Sequence, residues 1–406
     1  MSTPGHVLVN PLPAHGHVTP TLAVVAELVR RGHRVTFATT AEFADAVLAT
    51  GAEPLVYDSA LAGKAQPERF TADYVAREPL RCIEEGIATA RVFERALAEP
   101  PDLYVYDVST FPAGRALAQK QGRPAIQLFP VFASNEVFSF GQAQAAELDE
   151  PISAEHPAIV EFLAEVGGFV AEHGLTAGTM EFLTPCDETN LVFLPEEFQL
   201  NAWDFDDRHT FVGPCLPRER ADGWAPPADG TPVVLISLGT TFNRNPDFFR
   251  RCARAFAGLP WHVVLTLGSR VRVAELGELP PNVEAHQWLP HAAVLRHASV
   301  FACHAGMGTM MEALSFGVPL VLVPPDVTEH KLNARRAAAL GLGHLVSSVD
   351  SSAEEVRDAV LAAAGDARVR ERVDWMRGAL ERAGGATRAA DVVEATLARS
   401  RAATPL

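Results

Sequence analysis

The stretch HVLVNPLPAHGHVTPTLAVVAELVRRGHRVTFAT, residues 6–39, decides the fold class. It opens on an apolar, β-branched run, His6–Val9, that reads as a buried strand. A break containing Pro11, Pro13 and Gly16 follows. Leu22, Val25, Leu28 and Val29 then recur at helical spacing, Gly32 closes the helix, and RVTFAT is the next strand. Strand, loop, helix, strand is the unit of a parallel sheet with crossover helices. The alternation continues with LYVYD (103–107), a helix at 111–121 and AIQLF (125–129).

Between residues 213 and 231 the character changes to Pro, Gly and charge, which reads as an interdomain linker. The same pattern then restarts. VVLISLG (233–239) is a strand, WHVVLTLG (261–268) another, and VFACH (300–304) a third. A helix is expected near 308–316, the strand PLVLVP at 319–324 and a helix at 328–340. The expected organisation is α/β: a Rossmann-like domain over 1–212, the linker, and a second such domain over 232–385. A last helix, within about 370–400, extends into a tail (386–406) that the sequence does not place. Ligands of such sheets sit outside the carboxyl ends of the strands. That expectation gathers the loops 10–19, 107–110, 239–245, 304–309 and 324–330 around one cleft.

The 406 residues exceed one ordinary core, in keeping with two domains. A net charge of −16 repels phosphate backbones and argues against a nucleic-acid partner. The five cysteines, Cys82, Cys186, Cys215, Cys252 and Cys303, are dispersed with no CxxC pair, so reduced thiols in a cytoplasm are expected. No apolar run reaches membrane-spanning length, and the N-terminus lacks the features of a signal peptide.

Two places carry chemistry. HAGMGTMME (304–312) follows a strand and opens a helix. Gly306 and Gly308 permit close backbone approach, and the first amides of a helix attract an anion. This is a diphosphate cradle made mostly of backbone. It is neither a Walker A loop nor a GxGxxG dinucleotide loop. The other place is PAHGH, with His15 and His17 two residues apart. A metal pair, a catalytic base and a packing role are all open to them from these residues alone. A metal needs a third ligand at suitable spacing, which is not evident. The His-rich run His286, His291, His297 and His304 resembles a metal cluster in composition only.

From Trp288 to His330 the sequence resembles the nucleotide-sugar signature of family 1 glycosyltransferases: Trp288-x-Pro, His304-x-Gly306, Thr309, Glu312, Gly-x-Pro, and an acidic-polar pair after the next strand. Over its whole length the chain is similar to the macrolide glycosyltransferases of antibiotic-producing bacteria. The resemblance implies the GT-B fold, two Rossmann-like domains facing across a cleft. It implies that Trp288 stacks on the nucleotide base. His304, Gly306, Gly308 and Thr309 would hold the diphosphate, Glu312 the ribose, and Glu329 and His330 the sugar. Gly239 and Thr240 would close over the phosphates. His291 and His330 stand where the family places glutamines, and the second departure bears on the sugar's identity.

The resemblance further implies that His17 is the general base, oriented by Asp107 at the end of LYVYD. Phe132, Phe138 and Phe140 would line an apolar acceptor pocket. The expected reaction is inverting transfer of a hexose, glucose first, from UDP-glucose or another nucleotide sugar to a macrolide or polyphenol hydroxyl. A TDP-deoxysugar transferase of antibiotic biosynthesis is the competing reading, and a nucleotide-sugar epimerase a third. No cofactor or metal is expected beyond the nucleotide-sugar co-substrate. The partners are small molecules, with no nucleic acid, no membrane, and a homodimer compatible.

Overall fold

A computed structural model describes residues 3–61, 70–216, 223–240 and 243–403. Part of the expected linker, residues 217–222, lies outside the described residues. The chain forms two compact units. Of the described residues, the first holds 3–61, 71–216 and the tail 383–403; the second holds 223–240 and 243–382, with Phe70.

In the first unit seven parallel strands are ordered β3-β2-β1-β4-β5-β6-β7. They are β1 (His6–Asn10), β2 (Arg34–Thr39), β3 (Glu53–Val56), β4 (Leu103–Asp107), β5 (Ala125–Phe129), β6 (Asn190–Val192) and β7 (His209–Phe211). Strands covered by helices on both faces need continuous apolar runs, and Val7, Leu8 and Val9 are all buried. The register sets Val9 against Val105 and Asn10 against Tyr106, so β1 and β4 end nearly level. Val7, Val9, Leu103 and Val105 share one core with Val24, Val25 and Leu28 of helix α1 (His15–Arg30). Leu8, Tyr104 and Tyr106 point the other way, into a core with the helices Ala72–Ala96, Phe111–Gln121 and Pro157–Glu172.

The second unit repeats the plan with six parallel strands, ordered β10-β9-β8-β11-β12-β13. They are β8 (Val233–Ser237), β9 (His262–Thr266), β10 (Val283–His286), β11 (Ala298–Cys303), β12 (Leu320–Leu322) and β13 (Gly343–Leu345). Ser237 is level with Cys303, which brings the loops after β8 and β11 side by side. Among the described residues no helix is long and apolar enough to cross a membrane.

Three local expectations change. The helix after β1 begins at His15, so His17 lies in its first turn rather than in a loop, and Gly16 is helical. The segment at 370–400 is two helices, Ala367–Ala383 and Gly385–Ala403. Gly384 and Gly385 break it with φ of +86° and +55°, a backbone that side-chain-bearing residues rarely adopt. The expected linker also packs: Cys215 is buried in the core of the first unit, and Trp224 donates to Glu284 in the second.

The break assigns the tail. Gly385 N donates to Val212 O. The helix Gly385–Ala403 then lays Ala389, Ala390, Val393 and Leu397 into the core that α1 shares. At the rim Arg31 binds Glu27, Asp391 and Glu394 at 2.9, 2.7 and 2.6 Å. Leu397→Ala removes a buried side chain from this seam. It is expected to lower the unfolding free energy by about 2–5 kcal/mol, read as a lower urea midpoint.

Candidate active site

In both sheets the first strand is central, and its two neighbours are reached by crossovers running in opposite directions. Such a reversal opens a crevice at the carboxyl ends of the two strands flanking it. In the first unit the flanking strands are β1 and β4; in the second, β8 and β11.

At the first of these crevices His17 meets Asp107. Asp107 follows Val105 by two, so it shares that residue's face of the sheet, the side on which α1 packs. Its side chain is 1 % exposed. Asp107 Oδ2 lies 2.7 Å from His17 Nδ1, while Oδ1 accepts from Ser109 N at 2.8 Å. A carboxylate is an acceptor only, so Nδ1 carries the proton, and in the neutral ring that tautomer leaves Nε2 as the basic nitrogen. Thr110 Oγ1 donates to Asn10 O and ties the loop after β4 to the end of β1. His15 does not join the pair. It faces Glu42 at 3.2 Å and packs edge-on against Phe43.

The expected acceptor phenylalanines divide. Phe132 is fully buried and stacked on Phe198 at 5.7 Å, so it belongs to the core. Phe138 and Phe140 are partly exposed. The same loop is tied to the turn at 201–204 by Asn135 Nδ2, which donates to Asp204 O at 2.6 Å. Val137 and Trp203 on these two segments are exposed large apolar side chains that the sequence did not single out.

In the second unit the helix Met307–Ser315 starts at Gly306 with no side-chain cap, so its first amides are open to an anion. The His304 ring lies in a slot. A Cβ on Gly239 would come within 2.3 Å of it, and one on Gly306 within 2.4 Å. Burial holds the His304 imidazole down at about 4, with His291 adding to the effect, so the ring is neutral near pH 7. His291 is partly exposed, its Nε2 3.0 Å from Thr266 Oγ1. Burial holds it near 4 as well. Thr309 Oγ1 donates to Gly306 O. Glu312 is partly exposed, and burial raises its carboxyl to about 7. Trp288 is 67 % exposed, unusual for so large an apolar surface. Glu329 and His330 lie in the first turn of the helix Thr328–Ala339. Thr240 follows Gly239 in the turn after β8.

Two braces escaped the sequence reading. Asn333 Nδ2 donates to Ala305 O at 3.1 Å. This ties the helix of Glu329 to a loop whose Ala305 adopts a left-handed φ of +62°. Asn243 Nδ2 donates to Gly239 O at 2.7 Å. Both asparagines are fully buried. Among the described residues no group of His, Cys, Asp and Glu is arranged to hold a metal.

Comparison with known proteins places this geometry. The chain is 38 % identical over 412 residues to demethyllactenocin mycarosyltransferase of Streptomyces fradiae, covering 97 % of this chain and 86 % of that protein. The chain belongs to the family 1 glycosyltransferases of the antibiotic type. It is also 38 % identical over 404 residues to oleandomycin glycosyltransferase of Streptomyces antibioticus, covering 98 % of this chain and 92 % of that one. The crystal structure of CalG4, the calicheamicin glycosyltransferase, superposes with a TM-score of 0.85 at 42 % identity, covering 98 % and 99 % of the two chains. Residues 253–393 match the C-terminal domain of erythromycin biosynthesis protein CIII-like proteins. The fold is therefore GT-B and the protein a glycosyltransferase of macrolide or antibiotic type.

Asn333→Ala leaves the buried Ala305 carbonyl without its donor. It is expected to cost about 1–3 kcal/mol of stability, measured as a lower unfolding midpoint for the second unit.

Proposed function

We propose that this glycosyltransferase is a metal-independent, inverting enzyme. It moves a hexose from a nucleoside diphosphate sugar to a hydroxyl of an apolar natural product such as a macrolide or polyphenol. The observation that carries the reading is the buried Asp107 carboxylate 2.7 Å from His17 Nδ1. A neutral imidazole held in this tautomer takes the acceptor proton on Nε2 as the glycosidic bond forms. Asp107 stabilises the imidazolium that results, as in a Ser-His-Asp relay. The acceptor oxygen attacks the anomeric carbon opposite the leaving diphosphate, so an α-linked donor gives a β-glycoside.

On the donor side Trp288 offers a flat face to the base. The uncapped helix start at Gly306, with Gly308 and Thr309, and the neutral His304 ring receive the diphosphate without any fixed cation. Gly239 and Thr240 bound the same phosphates. Glu312 accepts from the ribose, and Glu329 from the sugar. Phe138, Phe140, Val137 and Trp203 supply apolar surface for the acceptor. Glucose from UDP-glucose is the first donor to test. A TDP-deoxysugar is the second, favoured by the burial of His330 at the second sugar position.

The test offers UDP-glucose and a TDP-deoxysugar, each with a macrolide and a flavonoid, in EDTA, with mass spectrometry of the products. A hexose adduct supports the reading. Donor conversion without an adduct points to an epimerase, and loss of product in EDTA removes metal independence. His17→Ala is expected to abolish turnover while UDP or TDP binding persists. Asp107→Asn is expected to reduce kcat by about 10²–10⁴-fold by upsetting the tautomer.

Glu312 adds a pH dependence. Its folded value of about 7 stands above the ordinary 4.5, so the ionised carboxylate costs the empty protein stability as pH rises between those values. Ribose hydroxyls donate best to the ionised form. Nucleotide affinity is expected to rise from about pH 6 to about pH 8, and Glu312→Gln to flatten the profile, both read by calorimetric titration.

A further inference from the structure

The resemblance gives position 330 to a group that holds the sugar, beside Glu329. Consecutive residues of a helix point about 100° apart, so the two side chains face different surroundings. His330 is 8 % exposed. Its ring lies edge-on to His304, with centroids 4.9 Å apart and planes inclined at 76°. His304 is confined on its other sides by the α-carbons of Gly239 and Gly306. His304 Nδ1 is buried and has no hydrogen-bond partner. The ring's attitude is therefore not set by a polar contact at that nitrogen. The ring lies in a slot bounded in part by two glycines and one imidazole.

We propose that His330 is a positioning residue for His304: its edge-to-face packing holds the His304 ring at the angle from which it meets the donor diphosphate, and the sugar is left to Glu329. The inference rests on the donor-site reading given above. It accounts for histidine here, since an aromatic ring closes the slot and a flexible carboxamide does not. It also states a donor class. A site whose second sugar position is turned inward makes fewer demands on sugar hydroxyls, and so accepts deoxysugars alongside glucose.

The experiment compares His330→Ala, His330→Gln and His330→Phe with the wild type. UDP and TDP affinity is measured by calorimetry, kcat/KM with UDP-glucose and with TDP-6-deoxyglucose, and the melting temperature confirms a folded protein. An edge-to-face ring contact corresponds to about threefold to tenfold in binding. His330→Ala and His330→Gln are expected to weaken nucleotide binding by that factor and to lower kcat/KM for both donors equally. Their ratio stays unchanged, and His330→Phe, which keeps the ring and loses its hydrogen bonds, recovers most of the loss. The proposal is overturned if nucleotide affinity is unchanged and the donor ratio shifts, or if phenylalanine fails to rescue a variant that folds. Trp288→Ala separates the two levels. If it leaves nucleotide affinity intact, the donor-site reading fails; if it weakens binding while the His330 variants do not, only the role of His330 fails.

Discussion

The reversal of crossover direction beside the first strand of each sheet is the constraint on which the site depends. A parallel strand must be reached by a right-handed crossover, so a sheet grown outward from its first strand in both directions places the helices of the two directions on opposite faces. The gap left between them is where a loop from one strand meets a loop from its neighbour. In the first unit that meeting brings His17, in the first turn of α1, to Asp107 at the end of β4. In the second it brings Gly239 against His304. These pairs are separated by 90 and 65 residues in sequence, and the register of adjacent strands alone makes them neighbours.

The second unit handles charge in a way suited to an acidic chain. Lysine and arginine are absent from the group His304, Gly306, Gly308, Thr309 and Glu312. What the proposed reading offers an anion there is backbone dipoles and a ring that burial keeps uncharged. Such dipoles are fixed by the fold and need no reorganisation when a phosphate leaves. That arrangement asks for rigidity, and Asn243 and Asn333 provide it by holding the carbonyls of Gly239 and Ala305.

Much of this was legible in the sequence, because it is carried by local pattern. The strands announce themselves as short apolar runs, and the order strand-loop-helix names the class. Trp288, His304 and Glu312 stand out through the resemblance to the nucleotide-sugar signature. What was not legible is tertiary. Asn333 looks like any polar residue on a helix until the loop it grips is placed beside it. Phe132 reads like Phe138, yet stacking on Phe198 makes it core. Pro11, Pro13 and Gly16 read as a break that puts His17 in a loop, whereas the helix starts at His15, immediately before Gly16. The doublet Gly384-Gly385 was visible, but only its backbone angles show that it ends one helix and begins another.

That doublet has a consequence for modularity. The helix Gly385–Ala403 follows the second unit in the chain but completes the core of the first, covering the apolar face of α1. Neither unit is thus a contiguous cassette. A recombinant that joins the leading half of this chain to the trailing half of a homologue inherits a foreign tail on its own α1. The seam around Leu28, Val393 and Arg31 must then be matched as carefully as the junction near 216. Exchange of halves is therefore constrained at a helix pair far from the join in sequence, because the tail closes the core of the N-terminal segment.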